Sequence, residues 1–247
     1  MTNLYKKNEI TFAILWIVAY VVLSSVGDRL SESVGLEHSV TAALHLATSL
    51  VLFFWIRKND LCVKYGLCAS RVPARRFLYY LPLAVIASSA FWNGVGLSMG
   101  FPGTLLYILS MCCVGFLEEL IFRGLLFRAM EKDGLKPAII VSALTFGLGH
   151  IVNLFNGSGR ELSSSLVQVA FAVMVGFVLV LIFLRSGSLI PCILFHSANN
   201  ALKAFEAEGG LDPKVDMALN LALIFLVLGG YLLYLLKTFP AESSEQQ

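Results

Sequence analysis

Residues Ser165 to Leu184 read SLVQVAFAVMVGFVLVLIFL, twenty positions without one charged side chain. As a helix rising 1.5 Å per residue they are about 30 Å long, the thickness of a bilayer's hydrocarbon core. Seven further apolar runs flank this one: Ile10–Val26, Val40–Ile56, Phe77–Leu97, Thr104–Met130, Pro137–Val152, Leu189–Phe205 and Met217–Leu236. Eight spans would use roughly 160 residues, most of a chain of 247. The expected fold class is therefore an all-α, polytopic membrane protein with about eight transmembrane helices. We divide it into residues 1–100 with three helices, 101–205 with a four-helix core, and 206–247 with the last helix and a polar tail.

Composition agrees. Hydrophobic residues are 57% and charged residues 14% of the chain, against about 45–50% and 25% in soluble domains. Mean hydropathy is +0.79. A soluble single domain, a disordered chain and a large extramembrane domain are excluded as classes, and the composition argues against an outer-membrane barrel, whose strands alternate. A net charge of +2 gives no reason to expect a nucleic acid partner. Five cysteines without CxxC spacing make neither a disulfide framework nor a zinc ribbon.

The first run follows Lys6 and Lys7, but it exceeds a signal peptide's apolar region and Ser24-Ser25-Val26 is a poor cleavage site. We read it as a retained helix. Of the eighteen Lys and Arg residues, thirteen fall at the end of the bundle that holds both termini, including the loop Arg57–Arg76. Four (Arg29, Arg160, Lys203 and Lys214) fall at the other end, and Arg123 lies within a span. The positive-inside rule then places both termini in the cytoplasm of a cell-membrane protein.

An ionisable side chain inside a span costs about 2.5–3.5 kcal/mol on insertion scales and is a functional candidate by default. The fourth run contains Glu118-Glu119-Leu120-Ile121-Phe122-Arg123. Glu119 and Arg123 are i and i+4, share a face and can pair. Glu118 is rotated about 100° away from Glu119. It must face water, a partner on another helix, or a substrate. The fifth run carries Ser142, Phe146 and His150 on one stripe, and the seventh carries His196 and Asn200 one turn apart, with Cys192 one turn earlier. Phe146 and Cys192 alone read as packing. His45, with only Thr41 and Ser49 as local polar neighbours, reads as structural. Gly96-Leu97-Ser98-Met99-Gly100 fits a nucleophile-elbow pattern but lacks the preceding strand. Gly157-Ser158-Gly159 reads as a flexible loop. Taken together, a carboxylate, two histidines and an asparagine on three helices suit water-mediated amide hydrolysis, with a base for water and donors for an oxyanion.

Glu-Glu-x-x-x-Arg, then Phe-x-x-x-His, then His-x-x-x-Asn, in that order between Leu117 and Asn200, resembles the CPBP family of intramembrane proteases. This CAAX protease and bacteriocin-processing (Abi) family includes the type II CAAX prenyl endopeptidases. The resemblance implies an intramembrane endopeptidase acting on a membrane-associated or C-terminally tagged protein or peptide. It implies that Glu118 and His150 activate water, that His196 and Asn200 form the oxyanion hole, and that Glu119, Arg123 and Phe146 support them. Two histidines and a glutamate are also a legitimate zinc set. A glutamate-dependent mechanism is favoured for the family, so we expect no cofactor and no metal ligand. The expected partners are a protein or peptide substrate at the membrane and the bilayer itself.

Two other classes compete. A serine or cysteine intramembrane protease would need a G-x-S-G loop, absent here, or Cys192 as nucleophile. A bacteriocin self-immunity protein, a regulator or a small transporter would use the same polar groups without proteolysis. A transporter favours inverted repeats, and the sequence shows none.

Overall fold

The computed structural model describes residues 1–72, 80–97, 99–152, 162–207 and 210–238. Arg75 and Arg76 of the basic loop, Phe77 at the start of the third run, Ser98, the 157–159 loop with Arg160, and the tail from Glu242 lie outside them. A short α1 (Thr2–Lys7) precedes α2 (Glu9–Val34) and α3 (Ser39–Lys58); α4 (Leu81–Ala87) runs on as a 3-10 turn to Phe91. Next come α5 (Phe101–Glu131), α6 (Leu135–Gly149), α7 (Leu162–Ser186), α8 (Ile190–Ala201) with a 3-10 turn to Phe205, and α9 (Pro213–Lys237). The chain is all-helical and polytopic. Among the described residues, five helices (α2, α3, α5, α7 and α9) are long and apolar enough to cross a membrane.

Three of the eight expected runs form shorter apolar helices among the described residues. Helices α4, α6 and α8 have 7, 15 and 12 residues, short of the roughly 20 a crossing needs. The first run is corrected the other way. It continues past Val26 to a Gly35 cap at φ 75°, taking in Asp28 and Arg29. The Gly35 N–H donates to the Ser31 and Glu32 carbonyls, the usual way a left-handed glycine closes a helix.

Local chemistry sets the other ends. Asn8 accepts from the Thr11 N–H at 2.9 Å and caps α2. Asp212 accepts from the Lys214 N–H and, with Pro213, starts α9. Large apolar side chains such as Phe54, Leu194 and Leu226 lie outward at 61–74% exposure, where lipid rather than water would meet them. The core is Leu, Phe and Ile from α5 and α7, among them Leu117, Leu120, Ile121, Phe127, Leu179 and Phe183.

Small residues let the helices that carry polar groups come close. A Cβ on Gly115 would sit 2.6 Å from the Ser197 nitrogen, so α5 and α8 touch backbone to backbone there. A Cβ on Gly176 would sit 2.9 Å from the Ala143 carbonyl oxygen, which joins α7 to α6 in the same way. Bilayers supply no hydrophobic drive between helices, so close approach of this kind is what holds them.

Candidate active site

Helix α5 is α-helical to Glu118 and π-helical over Glu119–Phe127. π turns are rare and frequently lie at functional sites, although α9 has a second one over Leu223–Leu228 away from these polar residues. All nine π residues are buried. Ser142 of α6 donates its hydroxyl to the Phe122 carbonyl at 2.9 Å, fixing α6 against this turn.

The expected ion pair is present. Arg123 Nη1 lies 3.1 Å from Glu119 Oε1, with both side chains fully buried. Arg123 Nη2 reaches the Gly176 carbonyl at 3.5 Å, and the guanidinium lies 4.0 Å over the Phe146 ring. Glu119 Oε2 and Arg123 Nε have no hydrogen-bond partner among the described residues. A buried pair repays its desolvation only with excellent, fully satisfied geometry. This one is singly bonded and incompletely satisfied, so its worth lies in what it positions.

What it positions is His196. The imidazole Nδ1 lies 2.9 Å from Glu119 Oε1. A carboxylate paired with arginine is an acceptor, so Nδ1 carries the proton. His196 Nε2 then faces Glu118, 3.6 Å from its Oε2.

Glu118 is not isolated. The Tyr20 hydroxyl of α2 donates to Glu118 Oε1 at 2.6 Å. The other oxygen, Oε2, is buried and has no hydrogen-bond partner among the described residues. Leaving such an oxygen unsatisfied costs about 1–3 kcal/mol, more when charged. It marks a place for a water or a substrate group. Tyr20 lies outside the sequence-predicted site. The spacing Tyr20, Ser24, Asp28 put a polar stripe on one face of α2, but nothing local said which helix that face meets.

His150 sits at the C-terminus of α6 and is half-buried. Its Nδ1 lies 3.2 Å from the Phe146 carbonyl. A carbonyl can only accept, so Nδ1–H donates and Nε2 is the nitrogen left for another partner. Phe146 separates the two histidines: its ring meets His150 edge-on at 5.4 Å and His196 at 5.7 Å.

Glu118 and His150 line one cavity of 490 Å³ between α2, α5 and α6. Its walls include Ile17, Val21, Phe122 and Leu148, with Tyr20, Ser24 and Asp28 along the α2 side. Along their helices Tyr20 and His150 are roughly 16–22 Å from the end that carries the termini, and Asp28 is about 28 Å from it. The cavity therefore runs from mid-bundle toward the end opposite the termini.

Asn200 is one turn beyond His196. Its Oδ1 accepts from Asn199 Nδ2 at 3.4 Å and its carbonyl from the Tyr107 hydroxyl at 3.3 Å. It makes no hydrogen bond to Glu118, His150 or His196 among the described residues. Its own Nδ2 remains available to donate. His45 is bonded across helices, as described below. Cys192 is fully buried and its thiol donates to the Leu179 carbonyl at 3.4 Å, a poor position for a nucleophile. No group of three or more His, Cys, Asp or Glu side chains placed to hold a metal ion occurs among the described residues.

Residues 98–202 match the family model described as Type II CAAX prenyl endopeptidase Rce1-like. The match starts just ahead of α5, ends with α8, and contains every residue of the three motifs. No curated protein and no solved structure matches the chain.

Proposed function

We propose, for a chain that belongs through residues 98–202 to the Rce1-like CAAX protease family, that it hydrolyses peptide bonds inside the membrane with Glu118 as general base. The single observation that carries this reading is Glu118 Oε2, a buried and unbonded carboxylate oxygen 3.6 Å from His196 Nε2.

In this reading a water enters the cavity and is held between Glu118 Oε2 and the lone pair of His150 Nε2. Glu118 takes one proton as the water oxygen adds to the scissile carbonyl carbon. The carbonyl oxygen becomes an oxyanion. Asn200 Nδ2–H and His196 Nε2–H are the donors proposed for it. For His196 this requires the doubly protonated ring, because Nδ1–H is spent on Glu119. As the tetrahedral intermediate collapses, the C–N bond breaks and Glu118 returns its proton to the departing amine. The products are a carboxylic acid and an amine, with Glu118 ionised again; the acid then gives its proton to the amine, leaving a carboxylate and an ammonium. Low dielectric strengthens each of these interactions. The described residues do not offer a metal-holding set, and no step is routed through an ion.

The substrate in this reading is a membrane-associated or C-terminally tagged protein or peptide. With the termini cytoplasmic, the Asp28 end of the cavity lies toward the outer side of the cell membrane. Comparative terminal proteomics of cells carrying the wild-type or the Glu118→Ala protein tests the reading. Fragment ends present only with wild type support it and name the substrate, whereas identical profiles contradict it.

A further inference from the structure

We propose that Tyr20 is a positioning residue that determines which oxygen of Glu118 does the chemistry. The proposal rests on the reading of Glu118 as the base. It concerns a residue outside the 98–202 family match.

A glutamate hangs on three rotatable bonds, and its terminal torsion is broad. Left alone, the carboxylate would sample many orientations. The Tyr20 hydroxyl takes Oε1 at 2.6 Å, a length typical of a strong O–H···O⁻ bond. Oε2 is thereby turned toward His196.

The hydroxyl is itself held from behind. The Tyr20 ring stacks on the His45 imidazole at 5.7 Å and 29°. His45 is pinned at both nitrogens, by Ser24 Oγ at 2.8 Å and Ser110 Oγ at 2.9 Å. Ser24 is one turn along α2 from Tyr20. Ser110 is on α5, eight residues before Glu118. The imidazole thus ties the helix that supplies the hydroxyl to the helix that carries the carboxylate. A buried histidine with both nitrogens satisfied, beneath a tyrosine that touches the candidate base, gives that base a rigid support.

The plain alternative is that Tyr20 only satisfies a buried carboxylate and glues α2 to α5. The two differ in what Tyr20→Phe does, since phenylalanine keeps the ring on His45 and removes only the hydroxyl. The full-length protein, in phosphatidylcholine–phosphatidylglycerol vesicles, is assayed on a pool of internally quenched fluorescent peptides. Glu118→Gln serves as the control. The expected result is a kcat about tenfold to a hundredfold lower in Tyr20→Phe with KM unchanged, a fraction of the 10²–10⁴ a positioned base contributes. His45→Ala should give part of the same loss, and the double variant should be no slower than Tyr20→Phe alone. Unchanged kcat in a Tyr20→Phe protein whose Glu118→Gln control is inactive overturns this proposal and leaves the base standing. An active Glu118→Gln overturns both. A substrate-independent arm compares carboxylate infrared bands of the same proteins, with Glu118 isolated by its Gln variant. A shifted Glu118 band in Tyr20→Phe supports the bond, and an unmoved band overturns the proposal.

Discussion

His196 stands between two carboxylates: its Nδ1 is 2.9 Å from Glu119 Oε1 and its Nε2 is 3.6 Å from Glu118 Oε2. One ring nitrogen is bonded to Glu119 and the other faces Glu118; in the proposed mechanism the first fixes the ring's position and the second takes part in the chemistry. Glu119 therefore acts through His196, and Arg123 through Glu119.

Glu119→Gln should be damaging on two counts. It strands the fully buried Arg123 guanidinium, and breaking one side of a buried pair costs about 3–5 kcal/mol. It also removes the anionic acceptor that orients the His196 ring through Nδ1–H. Thermal unfolding in detergent should show a large drop. The double variant Glu119→Gln/Arg123→Met should recover much of the stability but none of the cleavage.

Gly115 should be intolerant of even one methyl group. The added Cβ would meet the Ser197 nitrogen at 2.6 Å and its Cα at 2.9 Å, so α5 and α8 must part and Glu118 must leave His196. We expect Gly115→Ala to lose at least about tenfold in turnover, since misplacement by about 1 Å can cost a hundredfold. Gly230→Ala, where a Cβ meets nothing within 4 Å, is the control and should cleave at the wild-type rate.

Chelation should leave turnover alone. The described residues present no metal-holding group, and the proposed base is a carboxylate. Vesicles treated with 1,10-phenanthroline and then dialysed should retain wild-type rates (an expectation about the donor set). Loss of activity, restored by added zinc, would contradict it.

Stability should fall in strongly alkaline solution for a reason away from the site. Lys64 donates to both Glu9 oxygens and to the Tyr5 hydroxyl, each at 2.8 Å. Partial burial alone would lower its pKa, but these bonds outweigh it and hold the ammonium above its ordinary 10.5. A raised folded value means that the contribution is whole below 10.5 and disappears as pH rises through the folded value. Lys64→Met should therefore unfold at a lower temperature than wild type at pH 8. The difference should be small, because the pair is partly exposed, and it should vanish well above pH 10.5.

Much of the site was legible because its spacing is helical. Glu119 and Arg123 stay neighbours whether their turn closes at four residues or five, so the π turn did not hide them. His196 and Asn200 were equally visible one turn apart. Tyr20 and His45 were not. Their partners are Glu118, 98 positions from Tyr20, and Ser110, 65 positions from His45. Periodicity says which residues share a face, and it does not say which helix that face meets. Helix length was legible where run and helix coincide: the short runs Pro137–Val152 and Leu189–Phe205 match α6 and α8 with its 3-10 turn. The end of α2 was not legible for the converse reason: the helix runs two turns beyond its apolar run, past Asp28, until Gly35 stops it.

The most direct test of the central claim is the turnover of Glu118→Gln in sealed vesicles, beside wild type and with folding verified by its melting curve. The substitution keeps the side chain's shape and removes its ability to take a proton from water. The account predicts a fall in kcat of about 10²–10⁴ with an intact fold. A folded Glu118→Gln protein that cleaves at the wild-type rate would contradict it.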